Sequence, residues 1–179
     1  VMFYFFPFPK KYIKKMLIIT FIGCTVQYSF SYYGLNIIDG ASATLFVQAE
    51  IPFGILIAYF ILKEKPPKKN IIGLIIAFTG IFILSENPNL EGKIHGAIFI
   101  LIGAFLWSLA QVIAKPVSEK IGGLALTAWI GIFAGPQAVF ASYLIEGNTI
   151  KYIINASIQS WLILLYLALV MNVVGYSCW

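Results

Sequence analysis

Six long apolar runs, near residues 16–35, 41–62, 70–85, 94–114, 123–145 and 159–179, hold one formally charged side chain among them, that of Glu50. A helix needs about 20 mainly apolar residues to cross a bilayer, and five of the runs reach or approach that length. Water-soluble domains carry about 25% charged residues, whereas only 11% of this chain is charged and 60% is hydrophobic. Lipid offers no partner to a bare backbone amide, so only helices and closed barrels span it. Barrel strands alternate apolar and polar positions over about ten residues, and these runs do not alternate. The expected fold is an all-α integral membrane protein, a polytopic helix bundle whose first partner is the lipid bilayer.

The charges outside the runs orient it. If every run spans, the loops fall on alternate sides. One side receives 10–15, 63–69 and 115–122, with ten of the twelve lysines: Lys10, Lys11, Lys14, Lys15, Lys63, Lys65, Lys68, Lys69, Lys115 and Lys120. The other receives Lys93 and Lys151 against Asp39, Glu86, Glu91 and Glu146. Short lysine-rich loops mark the cytoplasmic side. A bacterial inner (plasma) membrane is therefore the expected location, with loops 10–15, 63–69 and 115–122 in the cytoplasm. The net charge of +5 is accounted for by these loops. No continuous basic groove exists for nucleic acid, and without arginine no bidentate phosphate clamp is available.

Within the apolar runs, "FVQAEIPFG" (46–54) is the unusual stretch. Glu50 is the tenth residue of the run 41–62, close to mid-membrane. A charged side chain there costs about 2.5–3.5 kcal/mol on insertion scales and generally faces a bundle interior or a water-filled path. Pro52 lacks an N–H and crowds the carbonyl of Gln48, so a kink is expected there. Gln48, Glu50 and Pro52 thus cluster at one depth. Two readings of Glu50 stand: it binds a proton or a cationic group of a substrate, or it is a neutral structural acid bonded within the bundle. Tyr28, Tyr32, Trp107, Gln111, Asn172 and Tyr176 are further substrate-path candidates, each with packing as its plainer role. Gln137, beside Pro136, is expected to satisfy a backbone broken by the proline. Trp161 reads as an interfacial anchor.

Small residues mark close helix approaches. Gly73, Ala77 and Gly80 share one helix face, and Gly96 and Gly103 repeat on the next. Both sets are expected to pack inside one bundle rather than form a homodimer face. Cys24 and Cys178 sit in apolar runs with neither a metal spacing nor a disulfide framework, and His95 stands alone at a helix end. One His, no intramembrane Asp and two scattered Cys supply no catalytic constellation. The chain therefore reads as neither an enzyme nor a cofactor or metal protein. No glycine-rich phosphate loop points to ATP.

The opening "VMFYFFPFPKK" lacks the basic start and cleavage site of a signal peptide. Both it and the closing "LILLYLALVMNVVGYSCW" read as runs cut off in mid-segment, so a piece of a longer protein is expected. Tyr28-Ser29 and Tyr176-Ser177 recur 148 residues apart, which suits two similar halves.

The block "ASATLFVQAEIPFGILIAYFILKEKPPKKNIIGLIIAFTGIFIL" (41–84) resembles the EamA-like repeat of the drug/metabolite transporter superfamily. The matching features fall on Pro52, Glu64, Gly73 and Gly80. "GKIHGAIFILIGAFLWSLAQVIAK" (92–115) resembles the start of a second such repeat. The resemblance implies part of a ten-helix inverted-repeat fold, covering about helices three to eight. Residues 1–85 would be the end of the first repeat and 92–179 the start of the second. Ile51 intervenes between Glu50 and the proline, a departure from the family pattern, so no role for Glu50 carries over from it. The implied function is secondary transport of a small organic metabolite, proton-coupled or by exchange. The cargo could be cationic or amino-acid-like, such as S-adenosylmethionine. The alternative is an inactive remnant or non-catalytic membrane subunit from a split transporter gene. Oligomeric state is left open.

Overall fold

The computed structural model describes residues 9–85, 91–147 and 154–174, and all regular structure among them is helical. The first apolar run, after a 3-10 turn at Lys10–Tyr12, folds as α1 (Ile13–Thr20), a π-helical segment (Phe21–Val26) and α2 (Gln27–Leu35). The second forms α3 (Gly40–Val47) and α4 (Glu50–Ile61), and the third forms α5 (Lys68–Ser85). Then follow α6 (Ile94–Ile121), α7 (Gly123–Glu146) and α8 (Ile158–Tyr166), the last continued by a π-helical stretch, Leu167–Val174. Among the described residues, three stretches are long and apolar enough to cross a membrane by length and composition: Gly40–Ile61, Ile94–Ile121 and Gly123–Ile145.

Two boundaries differ from the sequence expectation. The segment 115–122, read as a loop, is helical to Ile121, because α6 continues through Pro116 as far as Gly122. Gly122 ends it at φ 86°, a left-handed conformation open to glycine at little cost. At 28 residues, α6 is about 42 Å long, more than the roughly 30 Å of hydrocarbon. Its lysine-bearing end extends beyond the apolar stretch as helix. The run 41–62 is likewise divided into two helices, joined at 48–49 by a tightened turn that keeps right-handed helical dihedrals.

Contacts divide the chain into Val1–Gln137 and Ala138–Trp179. In the first unit, α6 is the axis: α1, the π-helical segment, α2, α3 and α4 all pack on it. Of its most apolar window, 44% is buried, against 22% for Gly40–Ile61 and 17% for Gly123–Ile145. One cluster gathers Met16 and Ile19 with Ala110, Ala114, Val117, Leu126 and Trp129. The other gathers Ile38, Ala43 and Phe46 with Ala97 and Ile100. Outward faces stay oily, with Phe60, Ile76 and Phe82 exposed. So broad an apolar surface is foreign to soluble monomers and suited to lipid.

Close approach of α2 and α6 depends on missing side chains. A Cβ on Gly34 would lie 2.8 Å from the Gly96 carbonyl oxygen, and one on Gly96 would lie 2.8 Å from Ile37. Gly103 faces Ser31. The expected packing of Gly96 and Gly103 is therefore present. That of Gly73 and Gly80 is not: nothing in the described chain lies within 4 Å of a Cβ placed on either.

The lysine-bearing segments meet at one end. Lys115 Nζ lies 2.6 Å from Glu64 Oε1, joining α6 to the segment after α4. Lys10 and Lys11 border a hollow shared with Lys120. In the second unit, Ser157 caps α8, its Oγ accepting from the Ser160 N–H at 3.2 Å.

Candidate substrate-path site

The break before Glu50 follows from Pro52. An uninterrupted helix would need a Pro52 N–H to serve the Gln48 carbonyl. Instead that carbonyl accepts from the Ile51 N–H at 3.2 Å. Upstream, the N–H groups of Gln48 and Ala49 turn back to Leu45 and Phe46, three residues before them, at 3.2 and 3.0 Å. The backbone thus tightens for one turn and restarts at Glu50. Pro52 becomes the third residue of α4, within the first turn, where a helix has no use for the missing N–H. The carbonyl expected to lack its usual donor has found another.

Glu50 accordingly lies in the first turn of α4. A helix start carries partial positive charge, which favours an acidic side chain. The acid and the proline are therefore one feature: the proline fixes a helix start in the middle of an apolar run, and the acid occupies it. Glu50 is half-buried. Its backbone carbonyl accepts from Ser108 Oγ of α6 at 2.6 Å, and the same hydroxyl reaches the Ala104 carbonyl at 2.9 Å. Ser108 is buried and ties the break to the central helix. Sequence reasoning did not single it out. A serine in an apolar helix usually bonds its own backbone four residues back, and nothing in the sequence announces a second partner.

On α6, Gly103 and Ala110 face the first helical run, and Ser108 faces α4. At 3.6 residues per turn, Trp107 and Gln111 occupy the strip between those two contacts. Trp107 is half-buried and lies near Gly23 of the π-helical segment; Gln111 is exposed. Tyr28 and Tyr32, one turn apart on α2, stack with ring centroids 5.8 Å apart, and both are exposed. Gln48 is exposed and Pro52 buried. Where α4 meets α6 the Glu50 carbonyl meets Ser108, one residue along α6 from Trp107, whose ring lies by Gly23. The tyrosine pair belongs to a different helix packed on the same axis, and Gln48 sits on the turn itself. The side chain of Asn172 and all of Tyr176 lie outside the described residues.

Gln137 does something other than repair the backbone at Pro136. Its Nε2 donates to Thr20 Oγ1 at 2.9 Å, and its Oε1 accepts from Thr25 Oγ1 at 3.5 Å. One amide therefore bridges the start and interior of the π-helical segment. Such segments leave backbone groups out of the regular ladder, and Thr20 and Thr25 are both buried there.

Residues 1–86 match the EamA-like transporter family. Over that stretch the chain belongs to the EamA-like transporter family. Likeness to individual relatives runs further. An uncharacterized transporter of Clostridium kluyveri is 28% identical over 164 residues, 88% of this chain and 52% of its own length. An Escherichia coli K12 protein named "Probable amino-acid metabolite efflux pump" is 26% identical over 162 residues, 86% of this chain and 54% of its own. An uncharacterized transporter of Acidianus ambivalens is 25% identical over 97% of this chain and 66% of its own length. The chain thus spans about half to two-thirds the length of these relatives. No solved structure matches it significantly. Family and fold together make this EamA-like chain a multi-pass membrane protein of a family of transporters, not of enzymes.

Proposed function

We propose that this chain forms part of a secondary transporter that moves a small organic metabolite across the membrane. The observation that carries the reading is Glu50: an acid at a mid-run helix start, anchored through its backbone to the central helix. Helices broken at mid-membrane are where transporters bind polar cargo, because free backbone groups are tolerated only along a cavity. Gln48, Pro52, Trp107 and Gln111 would border the path near Glu50, with Tyr28 and Tyr32 further along it; Asn172 and Tyr176 stay candidates on their sequence alone. Carboxylates and aromatic faces both attract cations, so the cargo is cationic or carries an amino group. The names of relatives from Escherichia coli and Salmonella typhimurium, amino-acid metabolite efflux pumps, favour an amino-acid-like compound moving outward. Residues 1–85 and 92–179 would belong to two successive repeats. The membrane would be a bacterial inner membrane with the lysine-bearing end in the cytoplasm, and a proton or an exchanged solute would drive the cycle.

The test is amino-acid efflux from cells expressing the protein, compared with Glu50→Gln at several pH values. The variant is expected to lose most transport and its pH dependence. Unchanged rate, affinity and pH profile would remove Glu50 from the path. A second reading is a non-catalytic membrane subunit or inactive remnant of a split transporter gene. It predicts a wild-type protein that reaches the membrane and moves nothing.

A further inference from the structure

The lysine-bearing end holds a hollow of about 400 Å³, bordered by Lys10, Lys11, Tyr12, Lys120 and Trp129. Lysines from two distant parts of the sequence border it. Among the described residues the one ion pair is Glu64–Lys115, so none of the three has a carboxylate partner. Like charges gathered around a hollow repel one another unless an anion enters. The helical run containing Lys10 and Lys11, the end of α6 and the start of α7 form its walls, which places it between helices at the level where apolar segments give way to charge. Tyr12 and Trp129 suit that level, since tyrosine and tryptophan favour the membrane–water interface. Trp129 is buried and stands six residues into α7, about 9 Å along the helix. The hollow is thus lined both by lysines and by apolar groups, Ile121, Ala125 and Trp129 among them.

We propose that this hollow is a socket for a phosphate-bearing anion, filled by the headgroup of an acidic phospholipid. Lysine binds phosphate as a point charge, and basic pockets between membrane helices on the cytoplasmic side take anionic headgroups. The apolar lining favours a lipid over free phosphate, because a glycerol and the first acyl carbons would occupy the space that a small anion leaves empty. The lysines that orient the chain would then also hold lipid.

The test is native mass spectrometry of the detergent-solubilised chain with added phosphatidylglycerol or phosphatidylcholine. The wild type is expected to retain phosphatidylglycerol selectively, and each of Lys10→Gln, Lys11→Gln and Lys120→Gln to weaken retention by about fivefold. The controls are the single variants Lys65→Gln, Lys68→Gln and Lys69→Gln, each of which removes the same charge away from the hollow and should keep the lipid. Equal loss in hollow and control variants would overturn the socket. Soluble glycerol phosphate displacing phosphatidylglycerol at equal concentration would overturn the lipid assignment and leave a site for a free anion. Should a variant misfold, acylation of wild-type lysines decides: Lys10, Lys11 and Lys120 are to be slowed by phosphatidylglycerol more than Lys65, Lys68 and Lys69. Uniform slowing sinks the proposal.

Discussion

Helices α5 and α6 each carry two glycines seven residues apart, Gly73 with Gly80 and Gly96 with Gly103, yet they use them differently. On α6 the glycines lie under Ile37, Ile38 and Ser31, close enough that a methyl group would collide. On α5 the corresponding faces are open, and Ile72, Ile75 and Ile76 beside them are exposed. The same spacing therefore marks a contact only where a partner presents a matching surface. α6 has that partner because α2 offers Gly34 and Ser31 at the same heights. Small residues permit approach in lipid; they do not supply the neighbour.

The contrast can be broken at either end. The largest effect is expected from Gly34→Leu, which drives a side chain into the backbone of Gly96. Overpacking costs about 1–3 kcal/mol and occasionally more, so the thermal midpoint in detergent should fall sharply; a change within error would mean that α2 and α6 do not touch as described. Next comes Ser108→Ala, which removes the donor to the Glu50 carbonyl. Hydrogen bonds between membrane helices are worth about 0.6–1.7 kcal/mol, and a denaturation series should show a loss in that range with Glu50 still in place. Pairing it with Glu50→Gln separates the two roles, because the serine contacts only the backbone of that residue. The smallest effect belongs to Gly73→Ala/Gly80→Ala. With nothing to strike, each alanine should raise stability by about 0.5–1 kcal/mol through helix propensity. Destabilisation instead would show that the α5 face is occupied in the membrane.

Much of the architecture was legible because lipid imposes it. Apolar length marks helices, and among the lysines Lys115 pairs with Glu64 while Lys10, Lys11 and Lys120 border one hollow. Pro52 announced a disturbance but not its form: the sequence suggested a bend with an unserved Gln48 carbonyl, whereas local rehydrogen-bonding makes two helices. Ser108 and Gln137 were harder. Each acts on a residue far away in the chain, Ser108 on Glu50 and Gln137 on Thr20 and Thr25, and no local pattern encodes such a partner. The π-helical segment 21–26 was equally silent, since its residues are those of any apolar helix. The end of α6 was misjudged for the opposite reason: charged residues ended the apolar run without ending the helix.

The position of Pro52 has one more consequence. A proline forced into a helix interior would leave the 41–62 segment bent like a spring, with unmet backbone groups pulling it straight. Here the backbone around 48–51 is already satisfied, so the segment is jointed. A joint holds no such tension, because its turn is closed by its own bonds, which a change of angle between the halves would have to break or remake. Glu50 sits one residue past that joint, so its carboxylate is the part of α4 that a swing would displace least, and its carbonyl is held to Ser108 of α6.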